Sequence, residues 1–313
     1  DRENAYCRSM LADSEPLQRT LMQELSDRLP FSDISVWARD GPFEYALHQA
    51  RDAEHPQLVR RPSGGGAHTV MVDLADEAKG HLYFRSGHSV HSPTHRMLAW
   101  FVDDVGSERF TIFFRDLETA IDLPECVCGV AVGGVFSNDG RFFLYIGLDD
   151  NNRKSCLYAH RPGEAQLQDT ILLEERDPRF ALSIRLTQSR GWFVVTSQSH
   201  EETEVHLISA ANPFMPAVLV SSRCSGSKCH IDEGNGVLYG MTNADGAYDY
   251  KIATARVEGA RVSDWCDLVA HRLGTAIVGH RVYQRHLVWL ERHDGVLRAM
   301  IRRHSDGQTH VVS

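Results

Sequence analysis

No apolar run in this 313-residue chain approaches the roughly 18 residues that a membrane span requires, so no membrane partner is expected. Positive charge is in deficit: 33 Lys and Arg face 42 Asp and Glu, a formal net charge of −9. That balance argues against a nucleic-acid backbone as partner and favours basic ligands. The chain lacks an initiator Met and a charged-then-apolar leader, and is therefore expected to begin partway into a longer protein. Paired C-x2-C motifs are absent. The seven cysteines (Cys7, Cys126, Cys128, Cys156, Cys224, Cys229 and Cys266) are an odd number, which without a leader reads as reduced thiols in a cytoplasmic protein. A G-x-S-x-G nucleophile elbow is also missing. The nearest Gly/Ser clusters, PSGGGA (Pro62–Ala67) and CSGSKC (Cys224–Cys229), have the wrong spacing. No cofactor is expected.

Helical periodicity is confined to residues 1–30. Leu17, Leu21, Leu25 and Leu29 recur every four residues and would line one face. Asp13 or Ser14 suits the start, Pro16 the first turn, and Pro30 the stop. From residue 34 the texture changes to short runs rich in Val, Ile, Phe, Tyr and Trp, separated by Gly, Asp and Asn. The stretch FSNDGRFFLYIGLDDNNRKSCLYAHRPG (Phe136–Gly163) reads as turn, aromatic strand, polar tip, second strand and turn.

That phrase repeats. FEYALHQ, MLAWFVD, FFLYIGL, WFVVTSQ, VLYGMTN and LVWLERH align on Tyr45, Ala99, Leu144, Val194, Tyr239 and Trp289, at intervals of 54, 45, 50, 45 and 50 residues. Those after the first are followed by a polar tip and a partner strand: GSERFTIFFRDL, NNRKSCLYAHR, HEETEVHLISA, GAYDYKIATARV and DGVLRAMIRRH. Several strands per period of about 40–50 residues mark β-propeller blades. One four-stranded sheet cannot cover both its faces, so blades stack and each covers its neighbour. A large sandwich or jelly roll is the alternative, but it has turn signals every ~8–12 residues and no longer register. The expected fold is all-β, a propeller with about six blades and a short N-terminal helical segment.

The order of several short motifs resembles the prolyl oligopeptidase family of serine peptidases, in its oligopeptidase B branch. These are ENAY (Glu3–Tyr6), LMQELSDRLP (Leu21–Pro30), GHLYF (Gly80–Phe84), SPT (Ser92–Thr94), GSERFTIFFRDLET (Gly106–Thr119), EERDPRF (Glu174–Phe180), HEETEVHLI (His200–Ile208) and WCDLVAHR (Trp265–Arg272). The resemblance implies a seven-bladed propeller that caps an α/β-hydrolase domain carrying a Ser-Asp-His triad and admits short peptides, which this branch cleaves after Arg or Lys. It implies a helical segment at 1–33 that packs on the hydrolase domain, and a propeller, incomplete, at 34–313. The catalytic half would lie outside this chain, so the chain alone is expected to be inactive. Its partners would be that missing hydrolase domain and short basic peptides.

Few residues stand out for chemistry. His88, His91 and His95 in GHSVHSPTH suggest a metal site, but His88 and His91 differ by three and point to opposite faces of a strand. Cys224, Cys229 and His230 beside Asp232 lack a second C-x2-C pair. Cys126 and Cys128 share a strand face about 7 Å apart, which suits buried packing. Asp149-Asp150-Asn151-Asn152 reads as a hairpin tip, and Trp37, Trp100, Trp192, Trp265 and Trp289 as inter-blade core. No metal site is expected. Glu108 and Arg109 in GSERF, and Asp177 and Arg179 in ERDPRF, are candidates for a gating contact with a hydrolase domain. Exposed ion pairs contribute only ~0–1 kcal/mol each, which suits a hinged seam, although solvated tip charges would look the same. Two other functions stay open. One is a stand-alone propeller scaffold for a protein partner, and the other a metal-dependent propeller hydrolase.

Overall fold

The structure, a computed structural model, describes residues 1–30, 32–51, 53–258 and 261–312; Ser313, the end of the expected propeller range, lies outside them. The chain forms two compact units, Asp1–His81 and Leu82–Ser313.

In the first unit two helices, Arg2–Leu11 and Glu15–Asp27, are joined by one 3-10 turn, Ala12–Ser14. Ser14 occupies the cap position of the second helix and Pro16 its first turn. The Ser14 hydroxyl donates backward to the Leu11 carbonyl (2.7 Å) and accepts from Gln18 (2.7 Å), so it braces the joint between helices. Leu17, Leu21 and Leu25 are all exposed. The sheet of this unit orders Ser32–Ile34, Phe43–Ala50, Gln57–Pro62 and Thr69–Asp73, with Ala38–Asp40 paired to Phe43–Ala50.

The second unit contains four hydrogen-bonded sheets, the first of eight strands and spanning two blades, which together make blades 2 to 6; the first unit's sheet is numbered blade 1. Every aligned phrase of the sequence is the second strand of a blade. They are Phe43–Ala50, Met97–Asp103, Phe143–Leu148, Trp192–Gln198, Val237–Thr242 and His286–His293. In blades 2 to 6 the predicted partner strands, such as Lys154–His160 and Thr203–Ser209, follow as third strands, antiparallel. In blades 3 to 5 both faces of the second strand are covered, because side chains alternate. Phe143 and Tyr145 join Phe101, Ile112 and Phe114 of blade 2. Leu144 and Ile146 point the other way, onto Leu182, Phe193 and Val195 of blade 4. Val194 faces Ile231 and Leu238 of blade 5, and Tyr239 and Met241 face Leu287 and Trp289 of blade 6. A strand covered on both faces by different sheets is propeller packing; a sandwich covers one face.

One strand serves two blades. Val127 and Val130 pair with Ile112 and Phe110 of blade 2, whereas Gly134, Val135 and Phe136 pair with Tyr145, Leu144 and Phe143 of blade 3. The ladder slips between these sets, where Gly129 (φ 71°) and Gly133 (φ 104°) take conformations that L side chains avoid.

Candidate functional site

Antiparallel order puts the turn between strands two and three of a blade at the same end as the link to the next blade. Glu108, Arg109, Asp177 and Arg179 all lie at that end of the second unit. Asp103 builds the first turn: its Oδ1 accepts the N–H groups of Val105, Gly106 and Ser107, and its Oδ2 that of Glu108 (2.8 Å). Glu108, at φ 60°, is left exposed and pairs with Arg85 at 3.8 Å. Arg109 Nη2 donates to the Asp149 carbonyl (2.8 Å), tying blade 2's tip to blade 3's.

In blade 3, Asp149 accepts the N–H groups of Asn151 and Arg153 (2.9 Å each), so the acidic tip is a hairpin turn as expected. Arg153 then reaches onward to the carbonyls of Glu175 (3.0 Å), Phe180 (3.2 Å) and Asp177 (3.3 Å) in the link to blade 4. Asp177 holds Arg179 within that link at 2.7 Å, and this side-chain bond, with the Arg179 N–H, brings its carboxyl down to about 2. Behind it, buried Glu175 accepts from Ser197, Arg223 and the Asp177 N–H. Burial pushes Glu175 up, but those donors outweigh it and hold its carboxyl below the usual range. Arg223 stacks 4.0 Å over Phe180 and bonds Glu204 as well.

The four predicted residues thus do not meet in one cluster. Arg109 and Asp177 are the ends of a relay that runs through Asp149 and Arg153, and Glu108 and Arg179 remain solvent-facing. Sequence reasoning missed Arg153, Glu175 and Arg223. Their signal was blade spacing: Glu175 and Arg223 are 48 residues apart.

A second feature is a cavity of about 430 Å³ between the first strands of blades 4, 5 and 6. Arg185, Gln188, His230, Asp232, His280 and Arg281 contribute its polar lining. His230 and Asp232 therefore belong to this cavity, whereas Cys229 is buried in the apolar contact with blade 4 and its thiol is pushed up to about 12. His91 and His95 stack on each other at 5.3 Å. The two sulfurs of Cys126 and Cys128 are 3.7 Å apart, not the 7 Å of a regular strand, because the ladder slips at Val127. Trp100 and Trp289 are core, while Trp265 is partly exposed, at 37%, and packs over Gly240.

Two histidines have triad-like neighbours. His160 bonds Asp169 at 2.7 Å, but the pair is buried, Asp169 also takes the Tyr145 hydroxyl, and His160 Nε2 makes no hydrogen bond. Ser32 Oγ lies 2.8 Å from His48 Nε2, with His48 Nδ1 on Gln57 (3.0 Å) and Gln57 on Asp73 (2.7 Å). His48, Gln57 and Asp73 are directly paired across a sheet face, and Ser32 reaches His48 diagonally from the edge strand. The third member of the series is a neutral amide, which cannot stabilise an imidazolium as a carboxylate does.

The whole of residues 1–312 matches the family model described as "Prolyl oligopeptidase, N-terminal beta-propeller domain". The chain belongs to that family. It is 29% identical over 93% of its length to "Dipeptidyl aminopeptidase BI" of Pseudoxanthomonas mexicana and 26% identical over 80% to "Protease 2" of Moraxella lacunata. It spans 42% and 38% of those relatives' lengths. Among solved structures, oligopeptidase B from Leishmania major superposes with a TM-score of 0.91 at 24% identity, covering 97% of this chain and 44% of that one. Oligopeptidase B from Trypanosoma brucei gives 0.90 at 22%, covering 98% and 44%. No helix among the described residues is long and apolar enough to cross a membrane.

Proposed function

We propose that this chain is the substrate-gating propeller of an oligopeptidase B-like serine peptidase that cleaves short peptides after Arg or Lys. The hydrolase domain that carries the triad lies outside these residues. The observation that carries the reading is the match of residues 1–312 to the N-terminal propeller model of the prolyl oligopeptidase family, and the fold likeness to oligopeptidase B at TM-score 0.91 agrees with it. The relay of tip residues supports it. Arg153 and Glu175 fix the links, while Glu108 and Arg179 sit in exposed pairs with Arg85 and Asp177 that a partner surface can exchange. Such exposed pairs contribute ~0–1 kcal/mol each, enough to select a closed position and too little to lock it. Closure would exclude water from a catalytic site it covers. The apolar stripe Leu17, Leu21 and Leu25 of the N-terminal helices has the form of a face awaiting the hydrolase domain. The net charge of −9 steers basic peptides toward the protein.

The test is turnover of an N-blocked fluorogenic arginyl peptide, with fluorophosphonate labelling alongside. These 313 residues alone give neither turnover nor a label on Ser32, and the uninterrupted gene product gives both turnover and a label on a serine elsewhere. Hydrolysis by this chain alone sinks the reading. The 29% identity to a dipeptidyl aminopeptidase favours a second reading, release of dipeptides from free N-termini. A gene product active only on unblocked substrates selects that reading instead.

A further inference from the structure

The cavity between blades 4, 5 and 6 gathers two guanidinium groups around one carboxylate, and both guanidinium groups are exposed on its open side. Arg185 comes from the first strand of blade 4 (Ala181–Leu186), His230 and Asp232 from that of blade 5 (Cys229–Gly234), and His280 and Arg281 from that of blade 6 (Thr275–Val282). Asp232 is the carboxylate facing them, and it is already engaged by backbone. Its Oδ1 accepts the N–H groups of Gln188 (3.2 Å) and Glu233 (2.9 Å), and its Oδ2 that of Val282 (3.2 Å). It clips three blades together. Arg185 makes a loose ion pair with it at 3.8 Å. Arg281 adds a second guanidinium close enough to act on Arg185. Two guanidinium groups around one carboxylate leave a local positive excess that an anion matches, on an otherwise acidic protein.

The rest of the lining narrows the class. Leu186, Met241 and Val278 set apolar surface beside the guanidinium groups. A bare inorganic ion would leave that surface without a partner, whereas an oxyanion carried on an organic group uses both halves. The volume lies in the range of small-molecule sites. We propose that this cavity binds the C-terminal carboxylate of a short peptide, with Arg185 and Arg281 as the donors and Met241 and Val278 against the terminal side chain. This rests on the peptidase reading for the source of the ligand. A peptide held by its tail here would be positioned for cleavage nearer its N-terminal side.

The test uses this chain, an N-acetylated tetrapeptide as free acid and as C-terminal amide, and isothermal calorimetry. The acid binds at least about tenfold tighter than the amide, as one lost charge-assisted contact dictates. Arg185→Met and Arg281→Met each abolish most of that preference, and inorganic phosphate at millimolar concentration competes with the acid. Arg185→Lys and Arg281→Lys keep the charge and retain part of the preference, which guards against a methionine variant that fails to fold. Equal affinity for acid and amide overturns the proposal, as does a preference that survives both methionine variants. Turnover of the N-blocked arginyl substrate, whose leaving group carries no carboxylate, is independent of this site. Failure here with turnover intact in the gene product therefore strikes the carboxylate site alone.

Discussion

Asp103 satisfies four backbone donors of its own turn, and nothing outside residues 103–108 is needed to explain it. Burial pushes this carboxyl up, but the four N–H groups outweigh it and hold it below its usual value. A carboxyl depressed in the folded state stabilises the protein above its unfolded value of about 3.9, and loses that contribution as pH falls through the folded value. Asp103→Asn should therefore cost about 1–3 kcal/mol at pH 7, because an amide places N–H groups among donors. The gap in urea-unfolding free energy between wild type and variant should narrow as pH drops from 7 to 3. A gap independent of pH would assign the loss to shape and not to charge. Single residues were legible in the sequence where chemistry is local, as in the Asp149 tip. They were illegible where a partner lies a blade away, as with Arg153 on the Phe180 carbonyl or Arg223 on Glu175. Arg185, Asp232 and Arg281 fall 47 and 49 residues apart, so the repeat register held the clue to the cavity.

At the scale of the element, hairpins were readable because a polar tip between two aromatic or β-branched runs has few other solutions. Val127–Phe136 was not readable as one strand shared by two blades, since nothing in VCGVAVGGVF distinguishes a bulge from an ordinary strand glycine. Strand glycines differ in what they allow, as Gly134 here and Gly279 in Thr275–Val282 show. A Cβ on Gly134 would stand 2.5 Å from the Phe143 ring and 2.7 Å from the Leu144 carbonyl, while one on Gly279 would meet nothing within 4 Å. Neither lies at positive φ. Gly134→Ala should thus cost about 1–3 kcal/mol or more through overpacking, and Gly279→Ala should stay within about 0.5 kcal/mol of wild type. Urea midpoints of the two variants decide it. A tolerated alanine at 134 would mean that the shared strand sits farther from Phe143 than described.

At the scale of the molecule the governing fact is that blades 3, 4 and 5 have no solvent face of their own. The interval of 45–54 residues made this legible before any coordinates, because only stacked sheets need a long register that counts whole sheets. Val194 and Val195 are adjacent, both 1% exposed, and point in opposite directions: Val194 toward Ile231 and Leu238, Val195 toward Leu144 and Leu182. In a two-layer sandwich one of two adjacent strand residues faces water and its truncation costs almost nothing. Here both truncations remove buried methyl groups from separate clusters. Val194→Ala and Val195→Ala should each cost about 1–3 kcal/mol, and their effects should add in the double variant because the two cavities share no lining residue. A near-neutral result at either position would leave one face of blade 4 uncovered, and stacking of blades 3, 4 and 5 would fail with it.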